Sequence, residues 1–132
     1  MREIKIAKSA GFCFGVKRAV NLVYDQVGNA KKVYTYGPII HNEEVVSDLE
    51  RKGVYVLSEE DIDAMLAHDG REDDAKEIVI RSHGIGRDAY KKLEQLGFEI
   101  VDATCPFVKK IHRIVQEETE QGHCVVIVGD EN

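Results

Sequence analysis

Four residues that could bind metals or anions occupy equivalent positions along this sequence: Cys13, His41, His83 and Cys105. Each follows a segment predicted to be a strand and precedes a segment predicted to be a helix. In a parallel α/β sheet such loops share the carboxyl edge, where ligands bind, so two thiols and two imidazoles would converge there. A helix N-terminus close by favours thiolate and phosphate alike. The spacing therefore suits a metal cluster together with an anion.

Cys13 is the strongest candidate for a metal ligand. It lies between two phenylalanines in the glycine-bounded segment 11–15, and Lys17 and Arg18 follow it. A lone cysteine is usually a small buried apolar residue, but positive charge in an accessible loop favours a reactive thiolate. We therefore expect Cys13 to have a functional role.

The other two cysteines have simpler alternatives. Cys105 precedes Pro106, which suits the first position of a helix, so Cys105 could be a ligand or only a helix cap. Cys124 begins an all-apolar run, which favours a buried strand position. The sequence has no CxxC pair, which argues against a structural zinc site or a ferredoxin-type cluster built from local spacing.

His41 and His83 are flanked by Gly, Ser or Asn rather than by periodic apolar residues, which favours a site role over a core role. Their rings could donate hydrogen bonds to phosphate oxygens. Further positive potential could come from Arg18, Arg87 and Lys109, although charged helix positions are usually only solvated. No site role is predicted for the remaining histidines, His68, His112 and His123.

The segments around these residues alternate between strand and helix patterns, which predicts an α/β fold of repeated βα units with mainly parallel sheets. A short acidic helix is expected after Ser58, with Asp61 at capping-box spacing, and a solvated loop over 67–76. Glycines are predicted to end three of the helices. The predicted strands are 4–7, 32–36, 54–57, 77–81, 98–101 and 124–128, and the other predicted helices are 16–27, 42–52, 88–96 and 106–121.

Composition limits the possible classes of protein. With 132 residues and 43% hydrophobic content, the chain can form one compact core. No apolar run is long enough to span a bilayer and no signal peptide is evident, so we expect a cytoplasmic protein that binds no membrane. The net charge of -6 argues against a nucleic-acid partner. Nine acidic residues lie in 58–77, so an anion could still bind elsewhere.

The sequence ends within a predicted strand-to-helix loop, shortly after the strand 124–128. A parallel strand needs a following helix to cover it. We therefore expect this chain to be part of a longer protein.

Four blocks of sequence are more specific than the alternation of strands and helices: GFCFGVKRA at 11–19, GPIIHN at 37–42, RSHG at 81–84 and ATCPFV at 103–108. Together they resemble the signature blocks of the 4-hydroxy-3-methylbut-2-enyl diphosphate reductase family, also called LytB or IspH. The blocks span the whole chain and occur in the order found in the family.

The resemblance implies a three-domain, pseudo-threefold α/β enzyme with a central 4Fe-4S cluster held by one cysteine from each third. Residues 1–97 would be the first domain, including the N-terminal strand and the Cys13 loop, and residues 98–132 would begin the second. Cys13 and Cys105 match two of the cluster ligands. His41 and His83 match the histidines that bind the substrate's diphosphate.

Family members carry out the last step of the methylerythritol phosphate route to isoprenoids. With two electrons from a ferredoxin or flavodoxin, they convert their allylic diphosphate substrate to isopentenyl diphosphate and dimethylallyl diphosphate. The third cluster cysteine and the glutamate for proton transfer are expected beyond Asn132, and Glu131 is not assigned that role. These 132 residues alone are therefore expected to be inactive.

Two alternatives remain at this point. Quinolinate synthase also holds a 4Fe-4S cluster on cysteines from three related domains, although its signature blocks differ from these. The chain could otherwise be a non-catalytic domain in which Cys13 and Cys105 are redox-sensitive thiols. Iron content would separate the second alternative from an enzyme.

Overall fold

Four parallel strands form a single sheet in the order β2-β1-β3-β4, with helices between successive strands. The structure is a computed structural model that describes residues 3–29, 31–68 and 75–129. This architecture confirms the predicted α/β class. The elements in chain order are α1 (Phe14–Gln26), β1 (Lys32–Tyr36), α2 (Glu43–Arg51), β2 (Val54–Leu57), α3 (Glu59–Ala67), β3 (Lys76–Ile80), α4 (Arg87–Gln95), β4 (Glu99–Asp102) and α5 (Pro106–Glu120).

The sheet has an apolar core on each face because side chains alternate along each strand. Val79 of β3 packs in the core that α1 and α2 cover, while its neighbours Ile78 and Ile80 pack in the core that α3 and α4 cover. All five residues of β3 are buried, as expected for a central parallel strand with helices on both sides. β3 is therefore the structural centre of the molecule.

Predicted caps set the starts of two helices. The Asn42 side chain accepts a hydrogen bond from the Val45 amide at 3.0 Å and begins α2. Ser58 and Asp61 form the predicted capping box at the start of α3. Each cap satisfies amides that the first helical turn leaves without partners, so these boundaries follow directly from local sequence.

Two predicted strands are wrong. Residues 4–7 and 124–128 have no strand hydrogen bonding, and Ile4, Ile6, Val126 and Val128 are exposed. An apolar, β-branched segment becomes a strand only when a neighbouring strand supplies hydrogen-bond partners, and none of the four strands pairs with these segments. Cys124 is consequently exposed rather than buried in a strand core.

The first sheet extends past residue 97, where the predicted first domain ends. β4 pairs with β3 through the register Glu77 to Glu99, so the first sheet continues to Asp102. The division into a first and a second domain stays a prediction. Part of the predicted loop 67–76 lies outside the described residues, at 69–74.

The longest helix of the described chain, α5, has no buried residue. Its large apolar side chains Phe107, Ile111 and Ile114 are exposed. Within the described ranges, neither α5 nor any other helix combines the length and the apolar character that crossing a membrane requires.

Candidate functional site

The strand order creates a crevice between β1 and β3. The chain leaves β1 toward β2 on one side and returns to β3 on the other, so the loops after these two neighbouring strands diverge at the carboxyl edge. His41 lies in the loop after β1 and His83 in the loop after β3, and both line one cavity of about 220 Å³. The predicted convergence of the two histidines is therefore observed.

The loop after β1 presents His41 by burying the residues before it. The Gly37 amide donates to the Leu57 carbonyl oxygen at 2.8 Å, and Gly37 has a φ of +65°, a conformation that favours glycine. Ile39 and Ile40 then pack into the core, at 4% and 7% exposure, while His41 is exposed. Two buried isoleucines thus anchor the loop and leave the imidazole at the surface of the cavity.

The loop after β3 is held close to the loop after β4. Gly84 donates to the Arg81 carbonyl oxygen at 3.0 Å and has a φ of +75°. A Cβ atom at Gly84 would lie 3.1 Å from the side chains of Thr104 and His112. Glycine at this position therefore allows the His83 loop to pack against the loop that carries Cys105. His112, for which no site role was predicted, contributes to this contact.

Backbone hydrogen bonds extend the β3–β4 pairing into the Cys105 loop. The Ala103 amide donates to the Ile80 carbonyl oxygen at 3.1 Å, and the Cys105 amide donates to the Ser82 carbonyl oxygen at 2.8 Å. Ser82 and Thr104 are buried. The backbone of Cys105 is consequently fixed relative to the His83 loop.

Asp102 organises the same loop from the end of β4. Its carboxylate accepts from the Thr104 amide at 2.9 Å and pairs with Lys109 of α5 at 2.5 Å. Burial of this carboxyl by itself raises its pKa, but the hydrogen bonds from Lys109 and Thr104 outweigh burial and lower the pKa to about 2. Burial, followed by the charge of Asp102, raises the pKa of Tyr90 to about 12. Asp102 therefore links β4, α4 and α5 below Cys105.

Both predicted ligand cysteines occupy helix N-cap positions. Cys13 precedes α1 and Cys105 precedes α5, and neither side chain makes a capping hydrogen bond. A Cβ atom at Gly15 would lie 2.7 Å from the Cys105 sulfur, so this thiol rests directly against the first turn of α1. Two free thiols at adjacent helix starts suit a ligand set that carries negative charge.

The donor set fits a shared metal cluster only in part. Thiolates are the usual ligands of iron–sulfur clusters, and Cys13 and Cys105 supply two of them. In the part of the chain that the structure describes, no group of three His, Cys, Asp or Glu side chains could hold a metal ion. A cluster would therefore need at least one further ligand from outside these residues.

The predicted cationic residues behave differently from one another. Lys109 pairs with Asp102, and the Arg18 guanidinium lies 3.5 Å from the Thr104 carbonyl oxygen. Both side chains thus support the Cys105 loop. Arg87 begins α4 and is exposed beside a larger cavity of about 650 Å³ on the other side of His83.

Two residues of the site received no role from sequence patterns. Arg81, directly after the apolar strand β3, lines the cavity with His41 and His83. Asp102 ends β4 and shapes the Cys105 loop. A signal existed for both, because each is a charged residue at the carboxyl end of a predicted strand or directly after it.

Comparison with known proteins gives a consistent result. A protein family described as "LytB protein" matches residues 4–132. Curated relatives named 4-hydroxy-3-methylbut-2-enyl diphosphate reductase include one from Caldanaerobacter subterraneus subsp. tengcongensis, 51% identical over 98% of this chain, and one from Aquifex aeolicus, 43% identical over 100% of it. In both cases the chain spans 43% of the relative's length.

Solved structures agree with these matches. One, described as (E)-4-hydroxy-3-methyl-but-2-enyl diphosphate reductase, the terminal enzyme of the non-mevalonate pathway, superposes with a TM-score of 0.75 at 41% identity. The whole of this chain aligns with 44% of the length of that structure. The reductase from Plasmodium falciparum superposes with a TM-score of 0.77 at 27% identity, with 95% of this chain and 37% of that chain covered.

Proposed function

This chain belongs to the LytB protein family, as its motifs predicted, and on that premise we propose that it forms the N-terminal part of a 4-hydroxy-3-methylbut-2-enyl diphosphate reductase. The proposed reaction removes the allylic hydroxyl of the diphosphate substrate. Two electrons and two protons enter, water leaves, and isopentenyl diphosphate and dimethylallyl diphosphate are formed. The chain spans 43% of the length of the relatives, so this activity is proposed for the complete polypeptide.

The observation that carries the proposal is the position of the histidine cavity beside the two thiols. Phe12 and Val16, which flank the 13–15 segment, form part of the wall of the cavity that His41 and His83 line. Cys105 contacts Gly15 in that same segment. An anion held by the histidines would therefore lie close to groups bound by the thiolates.

We assign the diphosphate to His41 and His83, whose ring N–H groups can donate to phosphate oxygens. The apolar residues of the cavity, Phe12, Val16, Ile39 and Ile40, would cover the hydrocarbon part of the substrate and exclude water from it. The two histidines lie on different loops, so they can contact different phosphate oxygens and fix the orientation of the substrate.

Cys13 and Cys105 would hold a 4Fe-4S cluster, with a third cysteine outside these 132 residues. Such a cluster supplies electrons and an iron position for the hydroxyl group that leaves. The acid that donates the proton is not assigned within this chain. Ferredoxin or flavodoxin as electron donor, and a cytoplasmic location, remain predictions.

The test is the visible absorption of the full-length protein purified without oxygen. We expect broad absorption from the cluster in the unmodified protein, and loss of most of it together with the reductase activity in the Cys13→Ser variant. Cys124→Ser is the matched control, because Cys124 is exposed and distant in sequence from both loops. A Cys13→Ser protein with unchanged absorption and iron content would contradict the ligand assignment.

A further inference from the structure

One arginine at the carboxyl edge of the sheet has a buried N–H group that makes no hydrogen bond in the part of the chain that the structure describes. Within the described residues, three buried side-chain atoms make no hydrogen bond: Thr35 Oγ1, Glu77 Oε1 and Arg81 Nε. Glu77 lies at the opposite end of β3, and Thr35 lines a small apolar cavity under α2. Of these three residues, only Arg81 lines the cavity shared by His41 and His83.

The position of Arg81 connects the two histidine loops. Arg81 directly follows β3 and is the second residue before His83. Its guanidinium extends toward the loop after β1, where the Nη1 atom would lie 3.7 Å from a Cβ atom at Gly37. Gly37 begins the segment that presents His41. The guanidinium therefore lies between the two histidine loops at the crevice between β1 and β3.

A buried N–H group without an acceptor is costly, because it loses water and gains no partner. Among the described residues, the Nε–H group of Arg81 has no acceptor. An anion entering the cavity would supply the missing acceptor. Arginine also keeps its charge throughout the usable pH range, whereas the charge of a histidine depends on pH.

We infer that Arg81 is a third anion-binding residue of this cavity and contacts the diphosphate of the substrate together with His41 and His83. The inference rests on the proposed function for the identity of the substrate. The planar guanidinium donates in parallel to two oxygens of one phosphate, which the imidazole rings cannot do. Arg81 would thus select for a phosphate-bearing substrate and fix the end of the molecule that does not react.

The test uses the full-length, cluster-loaded enzyme and its Arg81→Gln variant. We expect KM for the allylic diphosphate and the Kd for inorganic diphosphate, measured by calorimetry, each to rise roughly 10- to 100-fold, while kcat changes by less than about threefold. Visible absorption of the cluster should be unchanged. Arg51→Gln is the matched control, since Arg51 is exposed at the end of α2 and pairs there with Asp48.

Arg81→Lys is a second variant in case the glutamine variant does not fold. It keeps the charge and the aliphatic stem but loses the parallel donors, so we expect a smaller rise in the Kd for inorganic diphosphate. The inference is overturned if folded Arg81→Gln or Arg81→Lys binds inorganic diphosphate as tightly as Arg51→Gln does.

Direct binding separates this inference from the proposed function. If the unmodified enzyme fails to reduce the allylic diphosphate but binds inorganic diphosphate in a manner that depends on Arg81, the anion-binding role stands and the proposed reaction is wrong. If the enzyme turns over normally and Arg81 variants match the Arg51→Gln control in KM and Kd, the proposed reaction stands and the Arg81 inference is wrong.

Discussion

The loops that carry Cys13 and Cys105 are held in very different ways. The Cys105 loop continues the β3–β4 pairing, contains the buried Thr104, and is fixed by the carboxylate of Asp102. The Cys13 loop follows an exposed segment in which the Ala10 amide donates to the Ala7 carbonyl oxygen at 3.0 Å to form a turn. Only from Phe14 onward does α1 hold the chain.

The difference shows which part of the site this chain builds by itself. Cys105 is placed by the sheet, so its position follows from the packing of β3 and β4. Cys13 is placed by the start of one helix, and its side chain is exposed. Cys105 contacts Gly15 in the first turn of α1, which links the two loops directly. We expect Cys105 to be preorganised and Cys13 to gain order when a cluster binds.

The largest expected effect comes from breaking that link. In Gly15→Ala, the new Cβ atom would lie 2.7 Å from the sulfur and 2.8 Å from the Cβ atom of Cys105, closer than real contacts allow. The first turn of α1 and the Cys105 loop must then separate. After anaerobic purification, we expect the full-length Gly15→Ala protein to contain about tenfold less iron per chain than the unmodified protein.

Gly86→Ala is the matched control for this prediction. Gly86 has a φ of -71°, and a Cβ atom there would meet nothing within 4 Å. Iron content should therefore equal that of the unmodified protein. Equal iron content in Gly15→Ala would mean that the contact between the two loops is not required for cluster binding.

The next largest effect is expected from removing the charge of Asp102, whose carboxylate fixes the Cys105 loop. The pKa of Asp102 is lowered to about 2 in the folded chain from an ordinary value of 3.8. Because its pKa is lowered, the Asp102 carboxylate stabilises the fold at pH values above its ordinary pKa. This contribution disappears as the pH falls from about 4 to about 2. We expect Asp102→Asn to lower the free energy of unfolding by about 2 kcal/mol at pH 7.

Urea unfolding of both proteins across that pH range is the measurement. The difference between the unmodified chain and Asp102→Asn should shrink toward zero near pH 2. Asp25→Asn makes the same change in charge at an exposed position of α1 and should show little difference at any pH. A pH-independent difference for Asp102→Asn would point to shape rather than charge as the role of this side chain.

The smallest effect is expected in the segment before Cys13. Ile6 is 81% exposed, so Ile6→Ala removes little apolar contact and should change the free energy of unfolding of this chain by less than about 0.5 kcal/mol. Ile78→Ala, at a fully buried position of β3, should cost about 2–5 kcal/mol and shows that the assay is sensitive. A large cost for Ile6→Ala would mean that residues 4–7 pack on the sheet in solution.

Strands and helices were predictable wherever the local pattern and the tertiary packing agree. The strands 32–36 and 54–57 were placed correctly because their apolar residues meet helices and neighbouring strands within this chain. The predicted strands 4–7 and 124–128 have the same apolar character, but no strand of the sheet pairs with them. Local sequence cannot distinguish these cases, because a strand depends on a partner distant in sequence.

For the site, residue type and position after a strand identified Cys13, His41, His83 and Cys105 as candidates that would meet at one edge. This holds because all parallel strands end at the same edge of a sheet. The sequence predicted that His41 and His83 lie at the same edge, but not that they line one cavity, because that depends on β1 lying next to β3 in the sheet. Arg81 was missed for a related reason, since the absence of an acceptor for its buried Nε–H group among the described residues is a property of the packed structure.

The sequence by itself determined the class of fold, the helix caps and the family, because these depend on periodicity, on local hydrogen bonding and on four sequence blocks that resemble those of the family. Tertiary structure alone decided that Cys105 packs on Gly15, that Asp102 holds its loop, and that Arg81 lies between the histidine loops. Those contacts join residues from different βα units. Their distances depend on strand order and close packing, which local sequence does not encode.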